Sequence, residues 1–169
     1  DSDGLSSIAH KYDLFYIDLW GVIHNGIKLY EGAIGTLKEL KKNNKDFVLL
    51  TNAPRPNEIV KNFLEKMGME EQFRNHVFTS GEAALNYLKK SYLYKKFFHI
   101  GPPRDFDLFN PFKKNKSSDI SESEYLLCTG LFDNHNKDLN YYKNILETHT
   151  HKEMTVSYTH LRAHETFHD

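Results

Sequence analysis

Three short apolar runs in this chain end in polar residues, at Asp18, at Thr51-Asn52 and at Thr79-Ser80. A carboxylate in such a position can act as a nucleophile, and hydroxyl or amide groups beside it can hydrogen-bond an anionic substrate. In a parallel sheet, active sites form where the strands end at their carboxyl edge. One carboxylate at a strand end is equally well explained as a helix or turn cap. Three polar strand ends in succession favour a functional site.

The elements that would position these residues alternate between strand and helix. The apolar run 14–17 predicts a strand buried on both faces, as in a parallel sheet. Helical spacing follows in residues 33–43, and Asn57 is a plausible cap for a second helix that ends at Gly68. Further strands are predicted at 47–50 and 76–79, and a third helix at 81–90. This order predicts a doubly wound, Rossmann-like α/β fold with a parallel sheet.

A second block of elements begins near residue 95. Apolar runs predict strands at 97–100 and 125–128, and the polar, serine-rich stretch 113–124 predicts a loop between them. A helix is expected at 138–148, with Asp138 as its cap. Cys128, the only cysteine, lies in the second of these runs, which favours a core thiol over a nucleophile.

Composition excludes several functional classes. The 169 residues include 22 basic and 23 acidic side chains, and this balance argues against a nucleic-acid-binding protein. Apolar stretches are far shorter than the roughly 18 residues that a membrane span needs. The polar N-terminal segment lacks the apolar region of a signal peptide. We therefore expect a cytoplasmic protein without nucleic-acid or membrane partners.

The C-terminal tail differs from the rest of the chain. Residues 157–166 show neither periodicity nor turn signals, and their amino-acid sequence resembles a translated sequencing adaptor. We interpret residues 155–169 as a non-native tail and exclude them from fold prediction. The histidines in and before the tail are weak grounds for a metal site, because no fold brings them together.

Three segments resemble motifs of the haloacid-dehalogenase superfamily, subclass IIA. Residues 15–26, around Asp18-Leu19-Trp20-Gly21, are similar to motif I, and Leu49–Arg55 is similar to motif II. Val77–Ala83 resembles the entry to the cap domain of this subclass, which includes sugar-phosphate and nucleotide phosphatases. The resemblance implies a core at residues 1–81 and an inserted α/β cap at 82–154, both incomplete here.

The resemblance implies hydrolysis of a small phosphorylated metabolite through an aspartyl-phosphate on Asp18. Mg²⁺ would neutralise the two approaching anions, and the resemblance assigns the Asp18 carboxylate and the Trp20 carbonyl as its ligands. Thr51 and Asn52 would complete the catalytic set. Substrate contacts would come from Trp20, Gly21, His24 and Arg55.

Trp20 departs from the phosphatase pattern. Most family members carry a second Asp at this position, which protonates the leaving group and contributes about 10²–10⁴-fold to the rate. Tryptophan cannot replace that acid, although Asp-x-Trp-Gly-Val occurs in one branch of the subclass. His24 could supply a proton, but a histidine here is more often a surface or substrate contact.

The later motifs of the family, a lysine and an acidic pair, have no counterpart in this sequence. We therefore expect the chain to be the N-terminal part of a longer protein, with weakened or absent activity as it stands. The leading hypothesis is a phosphatase-like enzyme. The alternative is a weakly catalytic relative that binds phosphorylated metabolites as a sensor or regulatory module. A generic response-regulator-type domain explains the motifs less well. The resemblance also leaves open a homodimer formed through the cap.

Overall fold

The computed structural model describes residues 4–132 and 138–156. These residues form two compact units, one comprising the residues up to Thr51 together with Asn57–Thr79, the other comprising Asn52–Pro56 and the residues from Ser80 onward. Each unit contains a three-stranded parallel sheet with helices. The predicted α/β class with parallel sheets is confirmed. Within the described residues, no helix has the length and apolar character needed to cross a membrane.

The first unit follows the predicted alternation of strands and helices. Its elements are β1 (Leu14–Asp18), α1 (Glu31–Lys42), β2 (Asp46–Thr51), α2 (Asn57–Lys66), α3 (Glu71–Arg74) and β3 (Val77–Thr79). The strands lie in the order β1-β2-β3, all parallel, so each crossover carries at least one helix. Register pairs Ile17 with Leu49 and Leu49 with Val77. Paired residues share a face of the sheet.

One face of this sheet forms the core of the first unit. Phe47, Leu49 and Val77 are buried on that face. Helices α1, α2 and α3 contribute further buried apolar residues, namely Leu37, Leu40, Val60, Leu64 and Phe73. Their spacing of three and four residues places them on one side of each helix. The sheet is therefore held by an apolar layer on one side.

The prediction that β1 is buried on both faces is wrong. Tyr16 is 68% exposed, and Leu50 and Phe78, which lie on the same face of the neighbouring strands, are also exposed. An apolar run predicts a strand, but its burial depends on layers that come from elsewhere in the chain. In the part of the chain that the structure describes, this face carries no complete covering layer.

The second unit has a sheet of its own. Its elements are α4 (Ser80–Ser91), β4 (Phe97–Ile100), β5 (Tyr125–Cys128), α5 (Leu139–Thr148) and β6 (Glu153–Val156). The strand order is β4-β5-β6, all parallel. Asp138 caps α5 as predicted, because the Tyr141 N–H donates to its Oδ1 at 2.9 Å. Strand β6 was not predicted. The predicted loop 113–124 begins inside a short 3₁₀ helix, Asn110–Asn115.

An aromatic cluster forms the core of the second unit. Phe97 packs against Phe109, Phe112 and Tyr125, with ring centroids 5.4–5.8 Å apart. Cys128, at the end of β5, is only half-buried, unlike the three residues before it. Burial still raises the pKa of its thiol, which disfavours the reactive thiolate. The structure thus favours the predicted inert thiol.

A buried histidine in this unit makes its stability sensitive to acid. The His99 imidazole lies 2.7 Å from the Thr129 hydroxyl, and both side chains are buried. Burial, reinforced by the charge of Lys116, lowers the pKa of His99 to about 4. A depressed pKa means that His99 takes up a proton more readily in the unfolded chain. Its contribution to stability is therefore present above pH 6.5 and is lost as the pH falls toward 4.

We expect the free energy of unfolding to fall by about 2 kcal/mol between pH 7 and pH 5 through this residue. His99→Gln keeps a group that can hydrogen-bond Thr129 but does not titrate, and should flatten that part of the pH profile. Chemical denaturation at several pH values measures the effect. An unchanged profile in the variant would show that acid sensitivity arises elsewhere.

Candidate active site

The three polar strand ends lie at one edge of the first sheet. Asp18, Thr51 and Thr79 are the last residues of β1, β2 and β3, and the strands are parallel. Thr51 pairs with Thr79, whereas Asp18 pairs with Leu50. Asp18 and Thr51 are thus offset by one residue on adjacent strands, which lie about 4.8 Å apart. Because successive residues of a strand alternate between faces, their side chains lie on opposite faces of the sheet. The predicted convergence at the carboxyl edge is confirmed.

Asp18 is the exposed carboxylate at this edge. Its Oδ1 accepts a hydrogen bond of 2.7 Å from the N–H of Leu19, and the Leu19 side chain is buried. The buried neighbour fixes the backbone, and the hydrogen bond orients the carboxylate. A nucleophile needs this combination of access and fixed orientation.

The β1–α1 loop, residues 19–30, is closed by its own hydrogen bonds. Gly21 N–H donates to the His24 carbonyl at 2.8 Å, and Tyr30 N–H donates to the Ile23 carbonyl at 2.9 Å. Asn25 Oδ1 accepts from the two N–H groups of residues 27 and 28. Gly21 has a φ of +77°, a conformation that favours glycine. The loop beside Asp18 therefore has a defined conformation.

Trp20 and His24 meet inside this loop. Their rings are perpendicular, with centroids 5.4 Å apart, and His24 contacts Phe63 of α2 in the same manner at 5.6 Å. Trp20 is 46% exposed, whereas His24 is 4% exposed. Of the two positions expected for His24, surface or substrate contact, the surface position is excluded, because the indole and Phe63 enclose the ring. The substrate contact stays a prediction. A direct substrate contact through this ring is correspondingly restricted.

His24 is held as a neutral imidazole. Its Nδ1 accepts the Gly26 N–H at 2.9 Å, so the ring proton lies on Nε2. Burial lowers the pKa of His24, and the negative charge of Asp18 opposes this effect only in part. Protonation would also break the bond from Gly26. This arrangement disfavours the imidazolium, which is the form that the hypothesis of a proton-donating His24 requires.

Asn57 is a residue of this edge that the sequence did not assign to it. It was expected to cap α2, but its Oδ1 accepts the N–H of Thr79 at 2.9 Å. The bond joins the start of α2 to the end of β3, and the Thr79 side chain is buried. Thr79 therefore helps to build the edge and offers little to a substrate. A polar residue at a helix start is ambiguous in sequence, since capping and bridging use the same side chain.

Asn52 and Arg55 belong to the second unit, with the segment Asn52–Pro56. The Ser80 hydroxyl lies 2.8 Å from the Asn52 carbonyl and 3.0 Å from the Ala53 carbonyl. The N–H of Gly81 also donates to Ala53, at 3.1 Å. This segment is thus bound to the first turn of α4. The roles predicted for Asn52 and Arg55 toward a substrate stay predictions.

Gly81 is required where this segment meets α4. A Cβ at Gly81 would lie 2.3–2.6 Å from three backbone atoms of Arg55. Backbone atoms cannot move aside as a flexible side chain can, so Gly81→Ala should destabilise the protein by about 2–3 kcal/mol. Denaturant unfolding measures this loss. Gly35→Ala is the matched control, because nothing lies within 4 Å of its Cβ position in α1.

The control, Gly35→Ala, should raise the free energy of unfolding by about 0.5–1 kcal/mol, since alanine has a higher helix propensity than glycine. The two glycine-to-alanine variants should therefore change the free energy of unfolding in opposite directions. Equal effects would show that close approach to Arg55 does not govern the outcome.

The two units divide the chain near the boundary predicted between core and cap. The break falls between Thr79 and Ser80, whereas the prediction placed it between 81 and 82, and Asn52–Pro56 joins the second unit. Assignment of the units as core and cap stays a prediction. Among the described residues, no group of three or more His, Cys, Asp and Glu side chains could hold a metal ion. Asp18 and the Trp20 carbonyl provide two oxygen donors of the kind that Mg²⁺ accepts.

Comparison with known proteins identifies the family. Residues 15–111, more than half of the chain, match the family described as haloacid dehalogenase-like hydrolase. The chain therefore belongs to the haloacid dehalogenase-like hydrolases, and the family predicted from its motifs is confirmed. No curated protein matches the chain.

Solved structures share the fold. A haloacid dehalogenase-like hydrolase from Brucella suis 1330 has a TM-score of 0.74 at 24% identity, covering 93% of this chain and 60% of that one. A 4-nitrophenylphosphatase from Thermotoga maritima has a TM-score of 0.65 at 22% identity, covering 89% of this chain and 56% of that one. A glycerol phosphate phosphatase from Mycobacterium tuberculosis, solved with calcium, has a TM-score of 0.58 at 18% identity, covering 89% of this chain and 44% of that one. The chain thus spans 44–60% of the length of these relatives.

Proposed function

We propose that this chain is part of a magnesium-dependent phosphatase-like hydrolase that acts on a small phosphorylated metabolite. The observation that carries the proposal is the position of Asp18. It is an exposed carboxylate, oriented by the Leu19 N–H, at the edge where Thr51 ends the adjacent parallel strand. Two structural relatives carry phosphatase names, which supports the same reaction class.

The proposed reaction has two steps at Asp18. A carboxylate oxygen attacks phosphorus, the bond to the ester oxygen breaks, and the leaving group departs with the bonding electrons. Water then attacks the aspartyl-phosphate, which releases inorganic phosphate and restores the carboxylate. Thr51 and Asn52 would hydrogen-bond the phosphoryl oxygens. Gly21 would let the backbone come close to the substrate, and the Arg55 guanidinium would add positive charge.

Magnesium would supply charge neutralisation between the carboxylate and the phosphate. The Asp18 carboxylate and the Trp20 carbonyl would hold it, with water and further acidic ligands from the rest of a longer protein. Mg²⁺ commonly binds through one or two carboxylates while keeping several waters. The exposed face of the first sheet, with Tyr16, Leu50 and Phe78, fits the same interpretation, since further core elements could cover it.

A second candidate function is binding without efficient turnover. Trp20 favours this alternative, because it stands two residues after Asp18, where the family pattern places a proton donor. The buried, neutral His24 does not compensate for that absence. Such a protein would bind phosphorylated metabolites as a sensor or regulatory module.

Trapping of the covalent intermediate distinguishes these two functions. The full-length protein is mixed with a phosphate ester and Mg²⁺, quenched in acid and digested, and its peptides are examined by mass spectrometry. We expect an acid-stable, hydroxylamine-sensitive phosphate on the peptide that contains Asp18. Phosphate found on another residue, or turnover without any acyl phosphate, would overturn the enzyme mechanism. Binding with neither intermediate nor turnover would favour the sensor.

A further inference from the structure

The indole of Trp20 lies partly exposed beside the proposed nucleophile. Trp20 is two residues from Asp18 and is 46% exposed, although tryptophan is highly buried on average. Trp20 contacts His24 within the loop that directly follows Asp18 in the chain. Exposed aromatic area next to a reacting group can bind part of a substrate.

The indole is held in a fixed position from its inner side. A Cβ at Gly26 would lie 2.5 Å and 2.8 Å from the indole atoms Cη2 and Cζ3, so only glycine permits this approach. The φ of Gly26 is +88°, which also favours glycine. His24 meets the indole edge to face and is itself supported by Phe63. A side chain ordered in advance loses little conformational entropy when it binds a ligand.

The hydrogen bond from Gly26 to His24 connects these contacts. The same residue that leaves space for the indole donates its N–H to Nδ1 of His24, at 2.9 Å. Trp20, His24, Gly26 and Phe63 therefore form one interlocked group, which we name the aromatic platform.

Leaving-group chemistry points to the same class of ligand. Within the aromatic platform, neither the indole nor the buried His24 is arranged to protonate a departing alkoxide. A phenolate departs more readily, since phenol-type hydroxyls have a pKa of about 10. A planar aromatic leaving group could also stack on the indole, and stacking of this kind strengthens binding by about tenfold.

We propose that the aromatic platform selects phosphate monoesters with a planar aromatic leaving group. This inference rests on the proposed function, because it places the phosphate at Asp18. It assigns the specificity to Trp20 and its support to Gly26. The substrate class is thus small aryl phosphates, in preference to sugar phosphates and other alkyl esters.

The test compares two unreactive phosphonates, which share the anionic group and differ in the organic substituent. Phenylphosphonate and methylphosphonate are titrated into the full-length protein with Mg²⁺. Calorimetry gives the dissociation constants. Trp20 is the only tryptophan in the 169-residue sequence. Subtracting the emission spectrum of Trp20→Phe isolates the Trp20 fluorescence from that of any other tryptophan in the full-length protein. We expect phenylphosphonate to bind about tenfold more tightly than methylphosphonate and to change the Trp20 emission.

Two variants test the contacts behind that preference. Trp20→Leu should reduce the ratio of the two affinities to within about twofold. Gly26→Ala should do the same by displacing the indole. Gly68→Ala is the matched control, because Gly68 has a φ of +87° with nothing within 4 Å of its Cβ position. It imposes the same backbone strain without the contact, and should keep the wild-type ratio.

The outcomes separate the platform from the proposed function. Equal affinities for the two phosphonates in the wild type, or no binding of either, would overturn the platform. So would an aryl preference that survives in Trp20→Leu. The proposed function is tested independently by the aspartyl-phosphate at Asp18. That intermediate can form whether or not the aryl preference exists.

Discussion

Replacing Asp18 with asparagine is expected to reduce phosphate-ester turnover by about 10³-fold or more. The neutral amide is a poor nucleophile and a poorer ligand for a cation. Its oxygen can still accept the Leu19 N–H that Asp18 accepts at 2.7 Å. Because Asp18 is exposed, the free energy of unfolding should change by less than about 0.5 kcal/mol. Phosphate release by the full-length protein and denaturant unfolding measure the two quantities.

Asp46→Asn is the matched control for this experiment. Asp46 is also exposed, but it begins β2 and therefore lies at the opposite end of the same sheet. Its replacement should leave turnover within about twofold of the wild type, as expected for a surface change of under 0.5 kcal/mol. Retained turnover in Asp18→Asn would reject Asp18 as the nucleophile. Equal losses in both variants would indicate a general electrostatic effect.

The second large effect is expected at Trp20. If the chain lacks leaving-group protonation, Trp20→Asp should restore an acid beside Asp18 and increase turnover of alkyl phosphates by about 10²-fold or more. Aryl phosphates expel a weaker base, so they should gain much less. They should also lose the stacking surface of the indole. The ratio of alkyl to aryl turnover should therefore rise strongly, and steady-state kinetics with one ester of each class measures it.

Trp20→Asn provides the control for shape. It has nearly the same size as the aspartate variant and leaves the same space beside Gly26, but its amide has no ionisable proton and cannot act as a general acid. Only Trp20→Asp should accelerate the alkyl ester. If both variants accelerate it equally, release of space explains the gain. If neither does, Trp20 does not occupy the position of a lost acid, and the sensor function gains support.

Much of the fold could be predicted because it is encoded locally. Apolar runs of four residues located β1, β2, β4 and β5 within one or two residues of their observed limits. Helical spacing located α1, α2, α4 and α5 equally well. Parallel strands joined by helices must end at one edge, so alternation alone placed Asp18, Thr51 and Thr79 together.

Strand β6 shows where local pattern fails. Glu153–Val156 alternates polar and apolar residues over only four positions, and its last two residues fall in the segment 155–169 that was excluded as a tail. It is a strand because it pairs with β5, residue 125 with 153 and residue 128 with 156. Pairing across 28 positions leaves little trace in a four-residue segment. The tail beyond residue 156 lies outside the described residues.

The order of elements, the family motifs and the polar strand ends could all be predicted from the sequence. The burial of side chains and the identity of their hydrogen-bond partners could not. Tyr16 is exposed although its run is apolar, His24 is enclosed although polar, and Asn57 bonds to Thr79 instead of serving only its own helix. The physical reason is that periodicity and strand ends are properties of neighbouring residues. Solvent access and hydrogen-bond partners depend on groups that folding brings from distant parts of the chain.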